Sequence, residues 1–364
     1  MQENRNFLTE QIITYLGNKR GLYRHVEEEI IRIQKELGKS KTRNVDLFSG
    51  SGIIARMMKK YSSTLIVNDL EDYSRIINEC YLTNIEDFNL STYNEHKNEL
   101  LDRMNNGFEA GIITENYSPQ DDTNIKHGER VFYTNENAIY IDTARKYIET
   151  IDEESRSHFL APLLYEASVK TNTGGVFKGF YKDKETGIGQ FGGTGEFALQ
   201  RIKGKIEIEK PVLSNFSCEV IIEQEDSNEL VKNLRNLDIV YIDPPYNQHP
   251  YGSNYFMLNV IANNELPKEI SKVSGIPKNW NRSKYNVKKD ALTALSNLVK
   301  NIDSKYLIIS YNSEGFISYK EMVKMLKGFG SLEIREIPYN TYRASRNLSE
   351  RNLYVEEYLF ILKK

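Results

Sequence analysis

The 364-residue sequence predicts an α/β fold, a doubly wound parallel sheet interrupted by a long insertion. Three observations predict it. Short apolar runs recur with helical patterns between them, as expected of strands buried on both faces. The first run opens directly into a glycine turn and a helix, and the second ends on an acidic residue. The alternation then stops near Phe88 and resumes near Glu219. That leaves about 120 residues between two halves of one sheet, a size that can fold as its own domain.

The elements follow in order. Val26, Ile30, Ile33 and Leu37 stand at helical spacing with charges between them, so residues 22–37 predict an amphipathic helix ending at Gly38. Residues 44–48 predict a strand that runs into Ser49-Gly50-Ser51-Gly52, and residues 53–61 resume helical spacing. A second strand at 65–69 precedes a second helix at 74–83. Residues 89–214 are polar and irregular, with helical patterns near 139–149 and 157–170 and a glycine-rich stretch from Gly174 to Gly195. Strands return at 219–222, 238–242, 306–310 and 358–362. Residues 1–88 and 215–364 are therefore two parts of one domain, with 89–214 inserted between them.

Composition sets the outer limits. With 39% hydrophobic and 27% charged residues, the chain can build a core and is not disordered. No run approaches the roughly 20 apolar residues of a membrane span, and the first six residues have no apolar signal region. Cys80 and Cys218 make neither a disulfide framework nor a metal-ligand spacing, so no metal is expected. These features predict a soluble, cytoplasmic protein. A formal charge of −3 excludes a uniformly basic nucleic-acid binder, but charge is sorted into blocks. Residues 80–160 hold seven basic against sixteen acidic side chains, residues 170–205 seven against three, and residues 268–289 seven against one. Such sorting suggests one face built for a polyanion.

Two motifs carry chemistry. In Asp46-Leu47-Phe48-Ser49-Gly50-Ser51-Gly52 the glycines allow close approach of a ligand, and the third glycine of a hydride-transfer fingerprint is missing. The pattern, with Asp46 and Phe48 ahead of Gly50 and Gly52, suits S-adenosylmethionine better, whose amino-acid end is cationic. Asp69, closing the second strand, can accept from both ribose hydroxyls. The sharper motif is Asp243-Pro244-Pro245-Tyr246, directly after a strand and hence at the carboxyl end of the sheet. Asp243 and the Pro244 carbonyl can each accept one N–H of an exocyclic amine, while Tyr246 stacks on its ring. Pro244 and Pro245 remove competing backbone donors. A base reaches such a pocket only when extruded from the duplex.

With these motifs in this order, the chain resembles the Dam-type (alpha-group) adenine-N6-specific DNA methyltransferases. Tyr15-Leu16-Gly17-Asn18-Lys19-Arg20 matches the family's first element, Asp46–Gly52 its glycine motif, and Asp243-Pro244-Pro245-Tyr246-Asn247 its catalytic loop. Asn254-Tyr255-Phe256, Ser310–Gly315 and the Arg- and Asn-rich stretch Tyr342–Arg351 also look familial. The family often has Pro where Leu47 stands, a departure the turn tolerates. The resemblance implies a Rossmann-like S-adenosylmethionine-dependent methyltransferase fold, with residues 89–214 as target-recognition insertion between the two catalytic parts. It implies that Tyr15 and Lys19 border the methionine end of the cofactor, Lys19 reaching its carboxylate. Asp46 then lies near the cofactor's amino group and Asp69 at its ribose. Asp226 takes the cofactor's adenine, with Glu223 or Glu225 as alternatives. Asp243 and Tyr246 hold the target base, and Asp243 also borders the cofactor.

The basic blocks gain a place on this reading. Lys178 in the insertion, and Lys272, Arg282, Lys284 and Lys288 after the catalytic loop, become the expected contacts to double-stranded DNA. The acidic 80–160 segment is expected to face away, and His249 to have a polar packing role. No nuclease pattern is present, so methylation without cleavage is expected, with room for a separately encoded restriction endonuclease as partner. The competing readings are an N4-cytosine DNA or RNA adenine methyltransferase, a nucleotide-dependent oxidoreductase, and a non-catalytic DNA-binding protein.

Overall fold

A computed structural model describes residues 2–193, 196–340 and 354–364; Gly195 and the Tyr342–Arg351 stretch lie outside the described residues. Seven strands form one sheet: β1 (Thr42–Asp46), β2 (Ser62–Asn68), β3 (Glu219–Glu223), β4 (Leu237–Ile242), β5 (Ser304–Asn312), β6 (Ser331–Asn340) and β7 (Tyr354–Lys363). Their order is β3-β2-β1-β4-β5-β7-β6. The first five run parallel, and β7 lies antiparallel between β5 and β6. This is the Rossmann-like methyltransferase arrangement. Asp46 pairs in register with Val67 and Tyr241, so β1, β2 and β4 end level. The strand order turns back between β1 and β4, where a doubly wound sheet opens its ligand crevice.

Strand side chains alternate between two cores. Val45, Ile66, Val240, Leu307 and Ile309 meet Leu295 and Leu298 of helix Lys288–Asn301 and Met322 of helix Tyr319–Leu326 on one face. Leu65, Val67, Ile239, Tyr241 and Ile308 meet Val26, Ile30 and Ile33 of helix Tyr23–Leu37 and Ile54 and Met58 of helix Ile53–Lys59 on the other. The first helix ends as its spacing predicts: Gly38 takes φ +64° and returns its amide to Lys35.

The predicted strands differ from the observed ones in bounds. β1 stops at Asp46, with the Leu47 amide making the last ladder bond to the Tyr241 carbonyl, and Leu47 and Phe48 lie in the turn. β6 had no strong signal, since half its residues are polar at the sheet edge. Residues 89–214 are more regular than their pattern suggests. Besides Asn135–Ile148 and Glu153–Val169, they form helices Leu90–Asn106, Ile112–Tyr117 and Glu196–Lys203. In Leu90–Asn106 only Tyr93, Leu100 and Met104 are buried, too sparse a stripe to read as a helix. This segment adds no strand to the sheet. Its Phe132, Tyr133 and Phe159 share a core with Tyr73 and Ile77 of helix Asp72–Tyr81 and with Phe256 and Val260 of helix Phe256–Asn263. Among the described residues no helix is long and apolar enough to cross a membrane.

Candidate active site

One cleft of about 900 Å³, counting space open to solvent, lies above the ends of β1, β2 and β4. The glycine loop forms its floor. Gly50 holds φ +51°, and a Cβ there would stand 2.9 Å from the Tyr15 ring, so only glycine fits without displacement. Its amide donates to Asp69 Oδ2 at 2.8 Å, and the Glu71 amide donates to Asp69 Oδ1 at 3.0 Å. Burial pushes the Asp69 carboxyl up, while these amides favour its charge.

Asp46 is 1% exposed and neither of its oxygens has a hydrogen-bond partner. The Phe48 and Ala55 amides approach it without full hydrogen-bond geometry. Burial and then repulsion from Asp243 push its carboxyl well above the usual range. A buried carboxylate left without donors calls for a cationic or N–H-bearing ligand. This floor fits S-adenosylmethionine: its ammonium would supply the donors that Asp46 lacks, and Asp69, with one amide on each oxygen, keeps acceptor capacity for hydroxyls.

The wall is aromatic. Tyr15 packs against Tyr251 (centroids 4.9 Å apart, planes at 8°) and Tyr255 (4.7 Å, 22°), which also stack on each other at 6.1 Å, and its hydroxyl meets that of Tyr73 at 3.2 Å. Tyr255 accepts from the Leu16 amide at 2.5 Å and Tyr251 donates to the Leu16 carbonyl at 3.3 Å. The Tyr15–Lys19 turn is thereby held against the segment that follows the catalytic loop.

Asp243 directly follows β4 and lines the same cleft. Its Oδ1 lies 3.2 Å from Lys19 Nζ. Burial raises the Asp243 carboxyl to about 6, against the opposing pull of Lys19. Lys19 is 4% exposed and sits 3.5 Å from Glu357 Oε1 as well. Burial disfavours its charge, yet Asp243 and Glu357 hold its ammonium well above its ordinary value. Lys19, expected at the cofactor carboxylate, thus lines the cleft with its ammonium engaged by two of the protein's own carboxylates. The Tyr246 ring lies 5.8 Å from Lys19 Nζ and edge-on to Tyr311 at 6.2 Å. The Tyr246 carbonyl accepts from the Phe316 amide at 2.9 Å, tying the loop to the turn after Ser310–Gly315.

Every predicted cofactor residue except Gly52 lines this cleft: Tyr15, Lys19, Asp46, Phe48, Gly50, Asp69, Asp226 and Asp243. Gly52 caps the helix behind it at φ +77°. Of the three acidic candidates before β4, only Asp226 is on the cleft wall, where it also caps helix Ser227–Leu230. Lys178, Lys272, Arg282, Lys284 and Lys288 are all exposed. Lys178 Nζ stands 3.5 Å from His249 Nδ1 beside the catalytic loop, so His249 is a surface neighbour of a cation rather than a packed group. Arg282 lies 4.2 Å over the Trp280 ring. Asn281, Ser283, Tyr285 and Asn286 line the cleft, so Arg282 and Lys284 project from one of its walls. The acidic segment touches this basic loop through Arg130, which donates to the Ser271 and Lys272 carbonyls, and through Tyr117, which donates to Gly275 at 2.9 Å.

Sequence reasoning missed Glu71, Tyr251 and Glu357. Glu71 is pushed up to about 7 by burial and then by Asp69, and it accepts from Asn259 at 2.6 Å. Its place two residues after Asp69 was an available signal. Glu357 lies on β7, where nothing in the local pattern distinguishes it from Glu356. Among the described residues no group of three or more His, Cys, Asp or Glu is placed to hold a metal.

Residues 15–325 match the family described as D12 class N6 adenine-specific DNA methyltransferase. The chain is 30% identical over 365 residues to the type II methyltransferase M.NlaIII of Neisseria lactamica, covering 97% of this chain and 99% of that one. It is 33% identical over 373 residues to M.CviAII of Paramecium bursaria Chlorella virus 1, covering 96% and 98%. It is 28% identical to M.FokI of Planomicrobium okeanokoites, there spanning 52% of the relative. The chain belongs to the D12 class N6 adenine-specific DNA methyltransferases.

Proposed function

We propose that the protein is the modification enzyme of a restriction–modification system. It methylates N6 of an adenine flipped from double-stranded DNA at one recognition sequence, inside a prokaryotic cell, without cleaving the strand. The observation that carries this is that Asp243 of the catalytic loop walls the same cleft as Asp46, Gly50 and Asp69, so base and cofactor meet at one carboxylate. When bound, S-adenosylmethionine supplies an electrophilic sulfonium methyl. Asp46 receives its ammonium, Asp69 its ribose hydroxyls and Asp226 its adenine, while Tyr15 covers the methionine end. Lys19 serves Asp243 before it serves the cofactor.

Asp243 and the Pro244 carbonyl accept the two N–H bonds of the target amine, and Tyr246 stacks on the base. Held by both hydrogens, the amine keeps its lone pair on nitrogen rather than in the ring. Residues 89–214 act as the target-recognition unit, and Lys178, Lys272, Arg282, Lys284 and Lys288 hold phosphates around the extruded nucleotide. The type II names of the relatives support a partner endonuclease encoded separately. The test is nucleoside mass spectrometry after incubating the protein with S-adenosylmethionine and unmethylated bacterial DNA. N6-methyladenine, absent with Asp243→Ala, is expected at one recurring sequence. N4-methylcytosine, or no methylated nucleoside, would overturn the assignment.

A further inference from the structure

We propose that Glu357 is a positioning residue for Asp243, acting through Lys19 to leave the negative charge of Asp243 free for the target amine. The inference rests on the reading of Asp243 as the group that holds the base. Glu357 stands on β7, far in sequence from both the glycine motif and the catalytic loop, yet its side chain is buried at 3% exposure. Its Oε1 accepts from Asn312 Nδ2 at 3.2 Å and faces Lys19 Nζ at 3.5 Å. Its Oε2 is buried with no partner. Lys19 in turn meets Asp243 Oδ1 at 3.2 Å. The chain of contacts therefore runs from Asn312 on β5 through Glu357 and Lys19 to the catalytic loop.

Charge balance gives this chain a purpose. One ammonium shared by two carboxylates leaves a net charge of −1 on the trio. Without Glu357, Lys19 would belong to Asp243 alone, and the base would meet a neutral ion pair. During methyl transfer the N–C bond forms as the S–C bond breaks, and positive charge passes from sulfur to the amine nitrogen. A fixed negative charge beside that nitrogen favours the transition state over the ground state. Holding Lys19 from the far side also keeps it on Oδ1, so that Oδ2 stays available to the amine.

The groups facing Asp243 have each been placed: Lys19 from the N-terminal turn, Glu357 from β7, Asp46 from β1, Tyr241 from β4, Tyr246 from its own loop and Tyr251 from the following helix. The three phenols are raised by burial and stay neutral near pH 7. Glu357 thus acts on Asp243 in one direction, raising its carboxyl, and Lys19 in the other.

The experiment compares wild type with Glu357→Gln, an isosteric loss of charge, by following kcat and kcat/KM on unmethylated genomic DNA against pH. The expected result is a fall in kcat on the order of 10- to 100-fold, with the KM for S-adenosylmethionine little changed and the acid limb of kcat/KM displaced to lower pH. A merely structural role would reduce activity without moving the limb, and that outcome, like wild-type behaviour in both readouts, overturns the proposal. If Glu357→Gln does not fold, Glu357→Asp retains the charge but withdraws it by one methylene. A smaller fall with a smaller displacement of the limb is then expected, and no change in either overturns it. A wild-type protein that methylates no DNA would instead sink the reading of Asp243.

Discussion

Ionised, Asp243 is the stronger acceptor for an N–H, and burial holds its carboxyl up at about 6. The carboxylate therefore predominates only above that value. With the free enzyme's base titrating there, kcat/KM is expected to fall about tenfold per pH unit below pH 6. Lys19→Met removes the ammonium that opposes this shift, so the limb should move to higher pH; a limb that stays in place would take Lys19 out of the arrangement. On the proposed function, in which Asp243 acts on the base, Asp243→Ala should abolish turnover while calorimetry finds S-adenosylmethionine affinity largely intact. A loss of affinity as large as that of Asp69→Ala would contradict this division between the two acids.

The glycine loop behaves as a unit larger than its residues. Its turn places the Gly50 amide on Asp69 and brings the loop backbone against Tyr15. Gly50→Ala would force a side chain into a left-handed conformation, costing on the order of 1–3 kcal/mol, and into contact with the Tyr15 ring at 2.9 Å. The loop must shift, which withdraws the amide from Asp69. A loss of cofactor affinity of about tenfold or more is expected by titration, since 1.4 kcal/mol is one decade. Affinity equal to wild type would mean that the Tyr15 wall yields and the loop does not. The catalytic loop is fixed differently, by two prolines and by the Tyr246 carbonyl bonded to the Phe316 amide, so β4 and the turn after β5 place it jointly.

At the scale of the molecule, the inserted segment and the sheet's helices are one packed body around Tyr73, Phe132, Phe159 and Phe256. The stretch Asn281–Asn286 is at once a cleft wall and the carrier of Arg282 and Lys284. On the proposed function, cations so placed are expected to meet phosphates rather than bases. Lys284→Ala should weaken DNA binding alike for all sequences and reduce the slope of log affinity against log salt by about 1. Fluorescence anisotropy across a salt series measures it, and an unchanged slope would move the phosphate clamp elsewhere on the surface.

What was legible in the sequence is what local chemistry decides. The Gly38 stop, the Gly50 and Gly52 turn, Asp69 at a strand end and the Asp243–Tyr246 loop each depend on neighbours along the chain, and the family resemblance rested on those pieces in order. The helix Leu90–Asn106 was illegible because its buried stripe is three residues wide, and β6 because an edge strand needs few apolar side chains. The engagement of Lys19 was decided only by tertiary structure. So were the place of Asp226, rather than Glu223 or Glu225, on the cleft wall and the arrival of Glu357 beside Lys19. Each of these depends on which strand ends the sheet order brings level, and a charge 338 positions away in the sequence becomes a neighbour only when β7 enters between β5 and β6.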